Sequence, residues 1–398
     1  MRVLNVLLSN YIGGPQNRVL MTAKGLRKYG IETIILSPKG RGDFTQTARD
    51  QHFKVYQIML YGPKHFNSFS SIFENIKWFF TFPASILLIM RIIVRERIDI
   101  IQVNGLVNLQ APIAGFILRK KVVWYLSSSL FPKAIVNILM PLVLFISTHI
   151  VIIANGLESY YFGDKKIENL SVITRSIDAS EFDPQLVSES DRMELRAELN
   201  ISSNQKIIGC VGNVEPTKGY EYFIEAAMII KGKLNDAKFV IVGDLTDSQR
   251  PYQKKLRDII SYLNLDNDII FAGKRFDIPQ LLSLYDVFVL SSISEGGPAV
   301  ALEAMSMEKP VVATNVGIIP EYIISGNCGI IVNIKNPQAI ADAVIFLLNN
   351  PEERERMGRA ARKRIESLSP FDDYIRKHRD VYFNALGGVC DETIHFDR

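Results

Sequence analysis

Short apolar runs that read as buried strands alternate with helix-patterned stretches along almost the whole chain. That alternation admits few folds other than parallel sheets with helices laid on both faces. In the first half the strands are expected at 3–9, 32–36, 54–58, 99–103, 122–126, 149–153 and 170–174, with helices from Gly14 to about Tyr29, over 108–118 and over 134–147. In the second half the strands are expected at 206–211, 238–242, 268–271, 286–290 and 310–313. Helices are expected there over 220–230 and 253–263, from Ala299, over 338–348 and 352–367, and over 371–386. The reading is α/β, with two doubly wound parallel sheets in tandem and right-handed crossovers. A chain of 398 residues exceeds what one core usually holds, and the polar stretch 183–190 is the expected linker.

The stretch 294–305, Ser-Glu-Gly-Gly-Pro-Ala-Val-Ala-Leu-Glu-Ala-Met, follows the strand at 286–290. Pro298 suits the first helical position because it lacks an N–H that would be orphaned there. The unpaired amides of Gly297, Ala299 and Val300 and the positive end of the helix dipole favour an anion. Glu295 on the loop and Glu303 in the helix flank this phosphate seat, and both can accept hydrogen bonds from sugar hydroxyls.

The three cysteines, Cys210, Cys328 and Cys390, fit neither a disulfide framework nor a zinc pattern and point to a reducing compartment. The apolar run at 1–10 is too short to be a secretory signal, so a cytoplasmic protein is expected. Charge is uneven. Residues 1–187 hold 21 Lys and Arg against 12 Asp and Glu, a net +9, which leaves 25 against 30, a net −5, for the rest. The basic half suits anionic lipid headgroups or a phosphorylated acceptor, or is ordinary solvated surface. Within it lies an apolar segment over 72–94. Its uncharged run from Trp78 to Met90 is shorter than the roughly 20 residues of a span. Two readings remain for it, a core helix kinked at Pro83 or a helix lying on the inner face of a membrane.

In open parallel sheets ligands sit beyond the carboxyl ends of strands, so the loops leaving the strands are the candidates. Loop 212–219 carries Gly212, Asn213 and Lys218, and Lys218 can place an ammonium on a diphosphate. The end of the 268–271 strand leads to Gly273, beside which a flat base could lie, and to Arg275. Neither the dinucleotide Gly-x-Gly-x-x-Gly nor the Gly-x-x-x-x-Gly-Lys-Ser/Thr phosphate loop is present, and no His or Cys pattern calls for a metal.

The order of a strand, Gly-x-x-x-x-x-Lys-Gly, and then Glu-x7-Glu at the mouth of a later strand resembles the family-4 retaining glycosyltransferases of the GT-B fold. The resemblance extends over Gly13-Gly14, 173–182 with Asp178 and Phe182, 212–219, Val242-Gly243, 271–273, 286–303, and 309–314 through Gly317 and Glu321. It implies two Rossmann-like domains facing a cleft. The first, 1–185 with a returning helix and tail over 371–398, would bind the acceptor, and the second, 186–370, the nucleotide sugar. Carried across, Glu303 would bind the ribose and Glu295 the donor sugar. Lys218, with the amides of Gly297, Ala299 and Val300, would stabilise the departing diphosphate, and Gly296 would lie in the same donor site. Gly212, Asn213, Gly273 and Arg275 would line the donor site, and Gly13, Gly14, Asn104 and Ser127 the acceptor side.

The resemblance implies transfer from a nucleotide sugar, UDP-sugar favoured, to a glycan or lipid-linked acceptor. Anomeric configuration would be retained, in cell-surface polysaccharide or glycolipid synthesis, and neither metal nor cofactor is expected. Four places depart from the family pattern, one of them an Asp-x-x-His-x-His pattern that reads Asp99-Ile100-Ile101-Gln102-Val103-Asn104. Asn213 stands where Arg is usual, with Arg275 the expected compensation. A first-domain histidine is replaced by Ser127-Ser128-Ser129, and Thr174-Arg175-Ser176 replaces Pro-Asn-Gly. A nucleotide-sugar 2-epimerase of the same fold, or an inactive scaffold, are the alternatives.

Overall fold

The computed structural model describes residues 1–40, 42–63, 69–128, 131–244, 249–368 and 370–388, with the backbone alone for 69–74. It divides into two units, Met1–Thr174 with Asp372–Arg398, and Arg175–Phe371. The division falls upstream of the expected 185/186. Arg175 is buried, and its carbonyl accepts a hydrogen bond from Tyr322 Oη at 2.5 Å, which ties the segment after Thr174 to the second unit.

In the first unit the chain runs β1 (Arg2–Val6), α1 (Gly14–Leu26), β2 (Glu32–Pro38), α2 (Phe44–Asp50), β3 (Lys54–Ile58) and α3 (Phe69–Arg95). It continues through β4 (Ile100–Asn104), α4 (Gln110–Ile117), β5 (Lys121–Leu126), α5 (Lys133–Ile146), β6 (His149–Ile152), α6 (Gly156–Phe162) and β7 (Leu170–Val172). The seven strands are parallel, in the order β3-β2-β1-β4-β5-β6-β7. Val3, Leu4, Val6, Ile34 to Leu36, Ile100, Ile101 and Val103 are sealed from solvent, as strands covered on both faces require. Gly30, in the left-handed region at φ +67°, ends the first helical segment as expected. α3 runs through Pro83 without a break and is longer than its uncharged core suggested. The helix α2 lies in a region the sequence left irregular.

In the second unit, α7 (Glu189–Glu198) precedes β8 (Lys206–Val211), α8 (Tyr220–Lys231), β9 (Ala237–Val242), α9 (Arg250–Tyr262), β10 (Ile269–Gly273), α10 (Ile278–Leu284) and β11 (Val287–Leu290). Then come α11 (Ala299–Ser306), β12 (Val311–Thr314), α12 (Ile319–Tyr322), β13 (Ile330–Val332), α13 (Pro337–Asn349) and α14 (Pro351–Leu368). The parallel order is β10-β9-β8-β11-β12-β13. Residues 189 and 190, expected as linker, instead open α7. Ser188 caps it with a reciprocal box, its Oγ accepting from Asp191 N–H while Asp191 Oδ2 accepts from Ser188 N–H at 3.0 Å.

The last helix, α15 (Phe371–Ala385), packs on the first unit. Tyr374 Oη meets Thr22 Oγ1 at 3.0 Å, Tyr382 Oη donates to Gln102 Oε1, and Ile375 lies against the flat face of Gly25. The end of the expected tail, 389–398, lies outside the described residues, with Cys390, as does Ser129.

Candidate active site

Each sheet has one point where the strand order reverses, and the loops leaving the two strands there diverge and open a crevice. In the second unit the reversal falls between β8 and β11, which pair directly through Val287 with Ile208 and Phe288 with Gly209. The loop after β8 ends in a tight turn over Pro216–Lys218, and the loop after β11 carries Glu295. Topology thus brings together two side chains 77 positions apart, and Lys218 Nζ lies 2.6 Å from Glu295 Oε1.

Side chains and backbone fix both partners. Ser292 Oγ donates to Glu295 Oε1 at 2.7 Å, and Ser291 Oγ donates to the Lys218 carbonyl at 2.9 Å. Ile293 N–H donates to the Thr217 carbonyl at 2.9 Å, and Thr314 Oγ1 donates to the Ser292 carbonyl at 2.6 Å. Two glycines allow the approach. Gly219 sits at φ +60°, where an added Cβ would lie 2.4 Å from the Ser291 carbonyl oxygen. Gly317, at φ +53°, abuts the loop itself, its missing Cβ 2.7 Å from the carbonyl oxygens of both Glu295 and Gly296.

Pro298 is the N-cap of α11 and not, as expected, its first helical residue, which is Ala299. The amides of Ala299 and Val300 remain in its first turn, where no intrahelical acceptor exists. Gly296 and Gly297 precede them in the loop. Glu303, one turn on, is half-buried, and among the described residues nothing donates to its carboxylate. Burial pushes its pKa up to about 7, opposed by the charge of Arg175. Arg175 stands at the position that departed from the family pattern, and the influence of its charge on Glu303 was not foreseen.

The other expected donor-side residues separate into two groups. Asn213 is exposed on the loop that starts at Gly212, and the Gly212 carbonyl accepts from Tyr220 Oη at 2.6 Å. Gly273, at φ +69°, has open space where a side chain would stand. Arg275, by contrast, lies between Glu198 and Asp277, 2.6 Å from the latter. Both carboxylates hold its guanidinium in the charged form. With its charge already matched, Arg275 is not the compensation expected for Asn213.

In the first unit the order reverses between β1 and β4. Gly13, at the end of the loop after β1, caps α1 in extended backbone at φ −162°, a conformation open to any residue, and Gly14 starts the helix. Asn104, at the end of β4, is fully engaged. Its Nδ2 donates to Asn5 Oδ1 at 2.7 Å and to the Val6 carbonyl at 2.9 Å, while its Oδ1 accepts from Arg18. Arg18 is a buried cation that the sequence did not single out. It lies 3.5 Å over the ring of Tyr125, which stacks on His378 of α15. Ser127 is half-buried just past β5. Among the described residues no group of three or more His, Cys, Asp or Glu side chains is placed to hold a metal ion.

Two doubly wound parallel sheets, with a phosphate-suited loop pair at the switch point of the second, define the GT-B class. Residues 191–364 match the family model of the glycosyl transferases group 1, and the chain carries a domain of that family. The N-acetyl-alpha-D-glucosaminyl L-malate synthase of Bacillus anthracis is 28% identical over 51% of this chain and 52% of its own. The alpha-D-kanosaminyltransferase of Streptomyces kanamyceticus is 35% identical over 44% of each chain. The match thus spans about half the length of these curated relatives. Among solved structures, a glycosyltransferase from Rickettsia africae superposes with a TM-score of 0.82 at 20% identity, covering 98% of this chain and 99% of that one. Anabaena HepE in complex with UDP and glucose gives 0.81 at 20% identity, covering 96% and 100%. At this identity the two structures establish the GT-B fold.

Proposed function

We propose that the protein is a retaining, family-4 glycosyltransferase that moves a sugar from a UDP-sugar to a glycan or lipid-linked acceptor, in cell-surface polysaccharide or glycolipid synthesis. The observation that carries this reading is the Lys218–Glu295 pair at the switch point, beside the first-turn amides of Ala299 and Val300. The diphosphate would take Lys218 and those amides, Glu295 would accept from the donor sugar's hydroxyls, and Glu303 from the ribose. As the bond from the anomeric carbon to the phosphate oxygen breaks, negative charge grows on the leaving group where Lys218 and the helix terminus stabilise it. The acceptor oxygen bonds to the anomeric carbon on the same face, and its proton passes to the leaving phosphate oxygen. This chemistry takes its cation from Lys218 and requires no metal. The names of the relatives and the UDP and glucose bound by HepE support a nucleotide-sugar donor.

The test is a panel of UDP- and GDP-sugars offered to the enzyme with glycan and lipid-linked acceptors, with product configuration read by NMR and chelator added in parallel. The expected outcome is a retained anomer, unchanged by chelator. An inverted product or loss of activity on chelation would overturn the mechanism. Isomerised donor without acceptor would favour an epimerase, and absence of donor binding a scaffold.

A further inference from the structure

Nothing among the described residues covers the outer side of α3. Among the described residues, 75–95 form the one helix long and apolar enough to cross a membrane. Its inner side packs on its own unit, with Ser85, Ile89, Ile92 and Ile93 buried. Its outer side exposes Phe79 to 69%, Phe80 to 75% and Leu87 to 66%. The apolar surface continues onto neighbouring helices of the same unit. Right-handed crossovers from β3 through β6 put α3, α4 and α5 on one face of the sheet. On α4 and α5 the rings of Phe116 and Phe145 lie 5.2 Å apart with both residues exposed, and Ile138 is 74% exposed.

The charge along this surface is mostly of one sign, with Glu74 the one acid in the sequence of α3, α4 and α5. Residues 75–95 contain no Asp or Glu, and neither do residues 100–157. Two acids just beyond the end of α3 turn inward. Glu96, at the end of α3, is buried and paired with Lys54 at 2.6 Å, and Asp99 Oδ2 accepts from Arg2 N–H at 2.8 Å. Lys77, Arg91, Arg95, Arg119, Lys121 and Lys133 are exposed on or beside the three helices. Exposed aromatic and aliphatic side chains fringed by cations match the acyl boundary and headgroups of an anionic bilayer. A second copy of this chain would bring the same positive fringe against itself.

We propose that the face formed by α3, α4 and α5 docks on an anionic membrane surface, with α3 lying in the interface. It does not span the bilayer, because Ile89, Ile92 and Ile93 would have to leave the core of the unit. Co-sedimentation of the whole protein with vesicles of phosphatidylcholine alone, or of an equal mixture with phosphatidylglycerol, tests this. Binding is expected only to the mixed vesicles. It should weaken as salt rises from about 0.1 to 1 M, which shortens the screening length from about 10 to 3 Å. The double substitution Phe80→Glu/Leu87→Glu, at exposed positions, is expected to lower partitioning at least tenfold with an unchanged circular dichroism spectrum. Arg91→Gln should lower it about fivefold. Equal binding to neutral vesicles, or binding indifferent to both variants, overturns the proposal. So does a dimer that Phe80→Glu/Leu87→Glu disperses while vesicles are ignored. A cellular form that resists alkaline carbonate extraction would overturn it in favour of a spanning helix.

Discussion

Lys218 and Glu295 neutralise one another in a loop pair where each is largely shielded, with side chains 18% and 11% exposed. Removing either leaves the other as a shielded, unmatched charge. Glu295→Ala and Lys218→Ala are each expected to cost about 1–3 kcal/mol in urea unfolding, and the double variant less than the sum of the two. Lys218→Ala should also lower kcat by roughly 10²–10³ in the transfer assay, as loss of a group facing developing charge does.

Glu303 behaves in the opposite sense. Its pKa rises on folding from 4.5 to about 7, so between those values the folded state holds a proton that the unfolded chain has released. The stability this contributes is complete below the unfolded value and lost as pH rises through 7. Glu303→Gln, always neutral, is therefore expected to melt higher than the parent at pH 8, with the difference shrinking toward pH 5. If the ionised carboxylate receives the ribose, UDP affinity of the parent should rise from pH 6 to 8. Calorimetry in two buffers of different ionisation heat should then show proton release.

At the scale of elements, the loop that carries Glu295 rests on backbone geometry as well as on side chains. Gly317→Ala would place a methyl group 2.7 Å from the carbonyl oxygens of Glu295 and Gly296, at a positive φ. The cost is expected to be about 1–3 kcal/mol by thermal unfolding, with kcat falling because the loop must shift.

The elements that the sequence made legible are those with apolar strands or strong helical patterns. Glu295, Lys218 and Glu303 were readable as candidates because each sits in a local pattern. The family resemblance placed them around one donor, but the direct ion pair was not legible, since Lys218 reaches Glu295 only through a pairing of β8 with β11 that no local spacing announces. β13 escaped notice because three residues at a sheet edge, just after Gly329, give too short a pattern. α7 buries only Leu195 and so shows no apolar stripe, and its first two residues read as linker, although Ser188 and Asp191 already carried the capping signal. Arg275 misled for a related reason: Asp277 is two residues away, but Glu198 belongs to a distant stretch of chain.

For the whole molecule, the division of the chain matters more than its length. α15 supplies Tyr374, Ile375, Val381 and Tyr382 to the interior of the first unit, along with His378, which burial holds neutral with a pKa of about 3. Residues 175–371 alone are expected to unfold cooperatively. Residues 1–174 alone, without that helix, should bind a hydrophobic dye and lose cooperativity, and adding the segment 371–388 in trans should partly restore it. Calorimetry on the three preparations checks this.

That arrangement reverses the usual order of synthesis. The first unit begins to emerge from the ribosome before the second, but its interior is finished only by a helix made after the second unit. At about 5–20 residues per second, the nearly 200 residues between Thr174 and α15 take roughly 10–40 s to translate. For that interval the nascent first unit carries an open apolar seat where α15 will lie, and a chaperone would find its binding surface there.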